Sequence, residues 1–152
     1  MWSIRTDIHI LDDGGNILDC ACIAAITALL HFRRQEVTLH GDEVKVYSVE
    51  EKAPVPLSIH HIPICISFGF FDQGDLLVVD PSQLEEQVME SDLTIAMNVA
   101  REVCAISKPG GIPLYSEQLI RCSKIATVKV NEITTLIKDS LKEDEVRRTA
   151  KK

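Results

Sequence analysis

IRTDIHILDDGGNILDCACIAAITALLHFR, residues 4–33, decides how this chain is built. Ile4, Thr6, Ile8 and Ile10 alternate with Arg5, Asp7, His9 and Leu11. A period of two predicts a strand with one face buried. Asp12, Asp13, Gly14 and Gly15 break that period, because glycine tolerates positive φ and aspartate favours turns. Over residues 17–32 only Asp19 and His31 are markedly polar. A helix without a polar face needs cover on every side, so the pattern predicts a buried central helix.

The rest of the composition narrows the class. A chain of 152 residues fits one domain or two small lobes sharing a core. At 45% hydrophobic and 26% charged residues it is too aliphatic to be disordered. No unbroken apolar run reaches membrane-spanning length, and residues 1–5 lack the basic region of a signal peptide. Cys20, Cys22, Cys65, Cys104 and Cys122 are odd in number, scattered in apolar segments and without a CxxC pair. Reduced thiols of an intracellular protein are therefore expected, rather than a disulfide frame or a zinc site. A formal charge of −7 argues against a general polyanion binder, so any RNA contact would be local or shared with partner chains. The first predicted strand has no preceding partner, which suggests a chain entering a fold partway through.

Downstream, residues 37–39 and 44–47 flank His40, Gly41, Asp42 and Glu43 as a hairpin. Glu50, Glu51, Lys52, Pro54 and Pro56 then make a semi-rigid connector. Residues 62–71 and 76–79 form a second hairpin, and 93–97 and 103–106 a third, with a short helix between them. Ser116 is the expected N-cap of a long amphipathic helix carrying Leu119, Ile120, Ala126, Val130, Ile133, Ile137 and Leu141. Residues 142–152 lack apolar periodicity and are expected as a solvated tail.

Chemistry-bearing candidates are few. Asp80, Glu85, Glu86, Glu90 and Asp92 surround one loop region, and Asp80, Glu86 and Asp92 could share a cleft. Such carboxylates can hold Mg²⁺ or exchange protons, or they can form a solvated acidic face. His60 and His61 would point to opposite faces of a strand, which makes them poor joint ligands. Gly14-Gly15 and Gly110-Gly111 extend to neither a P-loop nor a dinucleotide fingerprint. Arg33-Arg34 suits a helix C-terminus better than a phosphate.

Longer blocks say more than spacing. Residues 2–11 with Asp13-Gly14-Gly15-Asn16-Ile17 and Ile23-Ala24-Ala25 resemble the centre of the RNase PH family. Residues 56–65, Val79-Asp80-Pro81, Glu85-Glu86-Gln87-Val88-Met89 and residues 121–126 resemble its exosome ring subunits in particular. The resemblance runs over nearly the whole chain but covers only the second half of the family's fold. It implies an α/β (α+β) fold, the C-terminal part of RNase PH, with mixed β-sheets on a buried central helix and a long C-terminal helix. The implied organisation is a first-lobe remnant at 1–48, a connector at 49–58, a second lobe at 59–141 and a charged tail at 142–152.

Active members of that family attack RNA 3′ ends with inorganic phosphate. They hold the phosphate with a threonine or serine and an arginine just after the turn glycines, a sound helix-terminal anion site. Those positions are Asn16 and Ile17 here, and isoleucine supplies neither charge nor donor. The family's two acidic-loop aspartates correspond to Glu86 and Asp92. The resemblance therefore implies a non-catalytic ring subunit with degenerate positions Asn16, Ile17, Glu86 and Asp92 and no cofactor or metal. Implied partners are other RNase PH-like ring subunits, RNA-binding cap subunits, associated hydrolytic exoribonucleases and RNA in the channel, with no membrane. Nuclear, nucleolar and cytoplasmic residence is implied as well. The competing readings are an active phosphorolytic 3′-to-5′ exoribonuclease, resting on Glu86 and Asp92, and a truncated fragment that does not assemble. A chain that lacks half of a fold is expected to be poorly soluble alone.

Overall fold

In the computed structural model, which describes residues 3–41 and 43–150, a single strand carries the core. Ile64, Ile66, Phe68 and Phe70 of that strand point to one side and are fully or almost fully buried. The chain order is α1 (Ile17–His31), β1 (Arg33–Arg34), β2 (Val37–His40), β3 (Glu43–Val46), β4 (Val55–Pro56) and β5 (Ile64–Phe71). Then come β6 (Leu76–Val79), α2 (Gln83–Val88), β7 (Ser91–Met97), β8 (Val103–Ser107) and α3 (Ser116–Thr149).

The main sheet has the order β6-β5-β7-β8, with every pairing antiparallel. Ile66 lies opposite Ile95 and Phe68 opposite Leu93, so apolar partners stack across the ladder. Cys122, Ala126, Val130 and Ile137 of α3 close that face, at steps of four, four and seven residues on one stripe of the helix. Each large side chain buried there contributes about 1.5–3 kcal/mol. The two-stranded pieces β1-β4 and β2-β3 complete the strands. The expected hairpins at 37–47, 62–79 and 93–106 all form.

Several expectations change. Residues 4–11 form no strand: they lie exposed, with Ile4, Ile8 and Ile10 about half accessible. A strand needs a neighbour for its N–H and C=O groups, and none of the described residues supplies one. For the same reason α1 is covered on one side only. Asp19 is its one buried residue; Ile23, Ile26 and Leu30 border the core, and Leu18 stays exposed. Residues 64–71 make an inner strand of the main sheet, and β6 and β8 are its edges.

Ser116 is the first helical residue rather than the cap. Tyr115 holds the cap position and donates its N–H to Gln118 Oε1 at 2.8 Å, while Gln118 Nε2 donates to the Gly74 carbonyl at 2.7 Å. The expected tail is helical to Thr149. Pairs one turn apart, Glu143–Arg147 and Asp144–Arg148, support it, and Asp144 also reaches His31 at 3.0 Å. No helix among the described residues is long and apolar enough to cross a membrane.

Candidate functional site

The turn before α1 sits against α2 because Gly15 has no side chain. Gly15 has φ +104°, and a Cβ there would collide with the backbone of Pro81, Ser82 and Gln83. The close approach lets Gln83 donate its N–H to the Gly14 carbonyl at 3.0 Å. Asn16 follows in left-handed conformation with φ 48° and is 7% exposed. Asparagine tolerates that region better than most residues.

Asn16 gathers three carboxylates. Its backbone N–H donates to Glu86 Oε1 at 2.9 Å, and its side-chain amide donates to Asp80 Oδ1 at 2.7 Å and Asp19 Oδ2 at 2.9 Å. Asp80 is placed by the end of β6: its N–H donates to the Ser67 carbonyl at 3.1 Å, and it turns with φ 58° into Pro81. Asp19 in turn accepts the Ser67 N–H at 2.7 Å and the Ser67 hydroxyl at 2.8 Å, and Ser67 Oγ lies 2.9 Å from Thr94 Oγ1. Asn16, Asp19 and Asp80 border a cavity of about 610 Å³ that Ile23, Ile133 and Lys129 also line.

The expected acidic group therefore comes together only in part. Glu86 and Asp80 meet at Asn16. Asp92 sits opposite Gly69 on the same sheet face as Ser67 and Thr94, and its side chain makes no hydrogen bond or ion pair among the described residues. Glu85 is structural: it accepts the Ser82 N–H and hydroxyl, both at 2.7 Å, in the capping box of α2, which lowers its pKa. Glu90 accepts the Gln73 N–H at 2.7 Å and fixes the turn after β5. No group of three or more His, Cys, Asp or Glu among the described residues is arranged to hold a metal ion.

The remaining candidates resolve structurally. His60 and His61 precede β5 in an exposed, non-strand segment. Gly111 packs against Glu90 and Ser91, and Ser91 Oγ donates to the Gly110 carbonyl at 3.0 Å, so this pair clamps a loop. Arg33 Nη1 donates to the carbonyls of Leu30, His31 and Phe32 at 2.8–3.1 Å, closing α1 as expected. Ile17 is the first residue of α1 and half-buried. The buried roles of Asp19, Ser67 and Thr94 went unread; the available signal was one acid in an apolar helix and two small hydroxyls within apolar strands.

Comparison with known proteins gives one family. Residues 1–35 match the 3′ exoribonuclease family, domain 1, and residues 61–129 match domain 2 of the same family. The chain belongs to this RNase PH-like family. It is 59% identical over 145 residues to exosome complex component RRP45 of Bos taurus, covering 95% of this chain and 33% of the relative. Exosome complex component rrp45 of Schizosaccharomyces pombe is 46% identical over 143 residues, covering 94% of this chain and 49% of the relative. The chain thus spans a third to a half of the length of these relatives. Among solved structures, an archaeal exosome core superposes with a TM-score of 0.66 at 24% identity, over 84% of this chain and 47% of the other. An Archaeoglobus fulgidus exosome with RNA bound to the active site gives 0.64 at 23% identity, over 82% and 44%. The fold is the RNase PH-like one.

Proposed function

We propose that this chain acts as a non-catalytic part of an RNA exosome ring subunit of the RRP45 type. It supports 3′-to-5′ RNA processing and degradation, including rRNA maturation and mRNA turnover, by scaffolding and channelling RNA. The sequence resembles exosome component nine, the polymyositis/scleroderma autoantigen, and the relatives carry the name RRP45. The observation that carries the non-catalytic reading is Asn16. At the start of α1, where an anion would be gripped, its N–H and amide already serve Glu86, Asp80 and Asp19. Three carboxylates there repel an incoming phosphate, and Ile17 offers no guanidinium to offset them. Losing a preorganised donor of that kind costs on the order of 10²-fold or more in rate.

In this reading Asn16, Ile17, Glu86 and Asp92 are degenerate family positions. The partners are other RNase PH-like ring subunits, RNA-binding cap subunits and associated hydrolytic exoribonucleases, in nucleus, nucleolus and cytoplasm. Residues 1–48 act as part of a first lobe, 49–58 as a connector, 59–141 as the second lobe and 142–152 as a charged extension.

Two measurements test this. The purified chain, given RNA with a free 3′ hydroxyl and inorganic phosphate, should release no nucleoside diphosphate. Co-expressed with RNase PH-like ring subunits, it should co-purify with them. Phosphate-dependent diphosphate release would support the active exoribonuclease instead, and failure to co-purify would support a fragment that does not assemble.

A further inference from the structure

Cys22 and Cys65 face each other where α1 crosses β5. On the helix, Asp19 and Cys22 are three residues apart and share a face; on the strand, Cys65 and Ser67 are two apart and share a face. The Asp19–Ser67 hydrogen bonds set the register of this crossing, and the next rung places Cys22 against Cys65. In its protonated form Cys22 Sγ donates to the Pro63 carbonyl at 3.5 Å. Both residues are half-buried.

We propose that Cys22 and Cys65 form a reactive dithiol, a modification site at which a peroxide oxidises the pair to a disulfide joining α1 to β5. The contact with the Cys65 thiol, through its side chain and backbone, lowers the Cys22 pKa to about 6, against burial and the charge of Asp19. The Cys65 thiol is pushed up by the same contact and by burial. One thiolate beside one thiol is the arrangement that a two-step oxidation uses. The Cys22 thiolate attacks a peroxide oxygen, the O–O bond breaks, and after protonation water leaves, giving a sulfenic acid on Cys22. The Cys65 thiol then attacks that sulfur, the S–O bond breaks, and a second water carries away the hydroxyl and the thiol proton. Two thiols are oxidised and one hydrogen peroxide is reduced to two waters.

The other cysteines lack this arrangement. Cys122 is buried, and burial pushes its thiol up to about 11. Cys20 and Cys104 are exposed.

The test uses the full chain, folded alone or with its co-expressed ring subunits. It is treated with a slight excess of hydrogen peroxide, its free thiols are alkylated under denaturing conditions, and it is digested with trypsin without reductant. The expected product is a disulfide-linked pair of peptides 6–33 and 53–101, two hydrogens lighter than their sum and released by dithiothreitol. Cys20→Ser keeps the link, whereas Cys22→Ser and Cys65→Ser abolish it. In the reduced protein, iodoacetamide should modify Cys22 with a midpoint near pH 6, moving toward the ordinary value of 9.0 in Cys65→Ala, which leaves no side-chain donor at that position. Full alkylation of Cys22 and Cys65 after peroxide, or a link that persists in Cys22→Ser, would overturn the proposal.

Discussion

The carboxylate of Asp19 takes both polar hydrogens of Ser67, the backbone N–H at 2.7 Å and the hydroxyl at 2.8 Å. One buried acid thereby docks the apolar helix α1 onto the inner strand and fixes its rotation. Asp19 is only 8% exposed, so Asp19→Ala strands the Ser67 donors and one Asn16 amide hydrogen without a partner. The expected loss is roughly 2–4 kcal/mol, read from the urea midpoint. Asp7→Ala, which breaks a pair with side chains 55% and 85% exposed, should stay within about 0.5 kcal/mol. Equal effects of the two substitutions would refute this account.

Glu86 should be what keeps phosphate away from the start of α1. In the unmodified chain, orthophosphate should not raise the melting temperature beyond a chloride control of matched ionic strength. Ile17→Arg alone should not change that, since Glu86 still holds the Asn16 N–H. Glu86→Gln weakens a charge-assisted bond and should cost about 1–2 kcal/mol. The double variant Ile17→Arg with Glu86→Gln should bind phosphate. At a concentration about tenfold above its Kd, its melting temperature should rise by about 3–6 °C.

Local pattern made the second half of the chain readable. The alternation in β5 and the turn residues at 72–75 and 98–101 specify hairpins that close within a few residues, so no distant partner is needed. The opening residues behave differently. Ile4, Ile8 and Ile10 carry a strand's alternation, but pairing belongs to two segments, and no second segment is present among the described residues. Likewise the apolar circumference of α1 indicates that cover is required without naming what provides it. Position-by-position reading found Asn16 and Glu86, while Asp92 stays apart because it lies along β7 rather than in the turn. Asp19 was hidden by its setting: in a sequence, a lone acid in an apolar helix does not reveal which strand donor it meets. The charged end of α3 was missed because its support is ionic and lies across the fold, at His31.

Gly15 should be the least replaceable residue of the turn. Its φ of +104° disfavours any side chain, and an added Cβ would meet backbone atoms of α2 and its leading loop, which cannot swing aside. Gly15→Ala should cost about 2–4 kcal/mol by forcing the turn and α2 apart. Gly14→Ala meets nothing within 4 Å and should change stability by less than about 1 kcal/mol. Denaturant melts of the two single variants separate these cases, and a tolerated Gly15→Ala would mean that the close approach is not required.

The junction of Asp144 with His31 should hold the last turns of α3 in a pH-dependent way. The His31 hydrogen bond, with the charges of Arg148, His31 and Arg147, holds the Asp144 carboxyl below its ordinary value of 3.8. A carboxylate with a depressed folded pKa favours the folded arrangement fully above the unfolded value, and that contribution is lost as pH falls through the folded one. Asp144→Asn removes it at every pH. Hydrogen exchange over residues 142–149 should therefore be several-fold faster in the variant than in the parent above pH 3.8, and the two should converge as the pH drops below it. Because the carboxylate is solvent-exposed, the effect should stay confined to this helix end and leave the core around Val130 unchanged. Exchange rates that differ equally at all pH values would show that Asp144 acts through packing instead of charge.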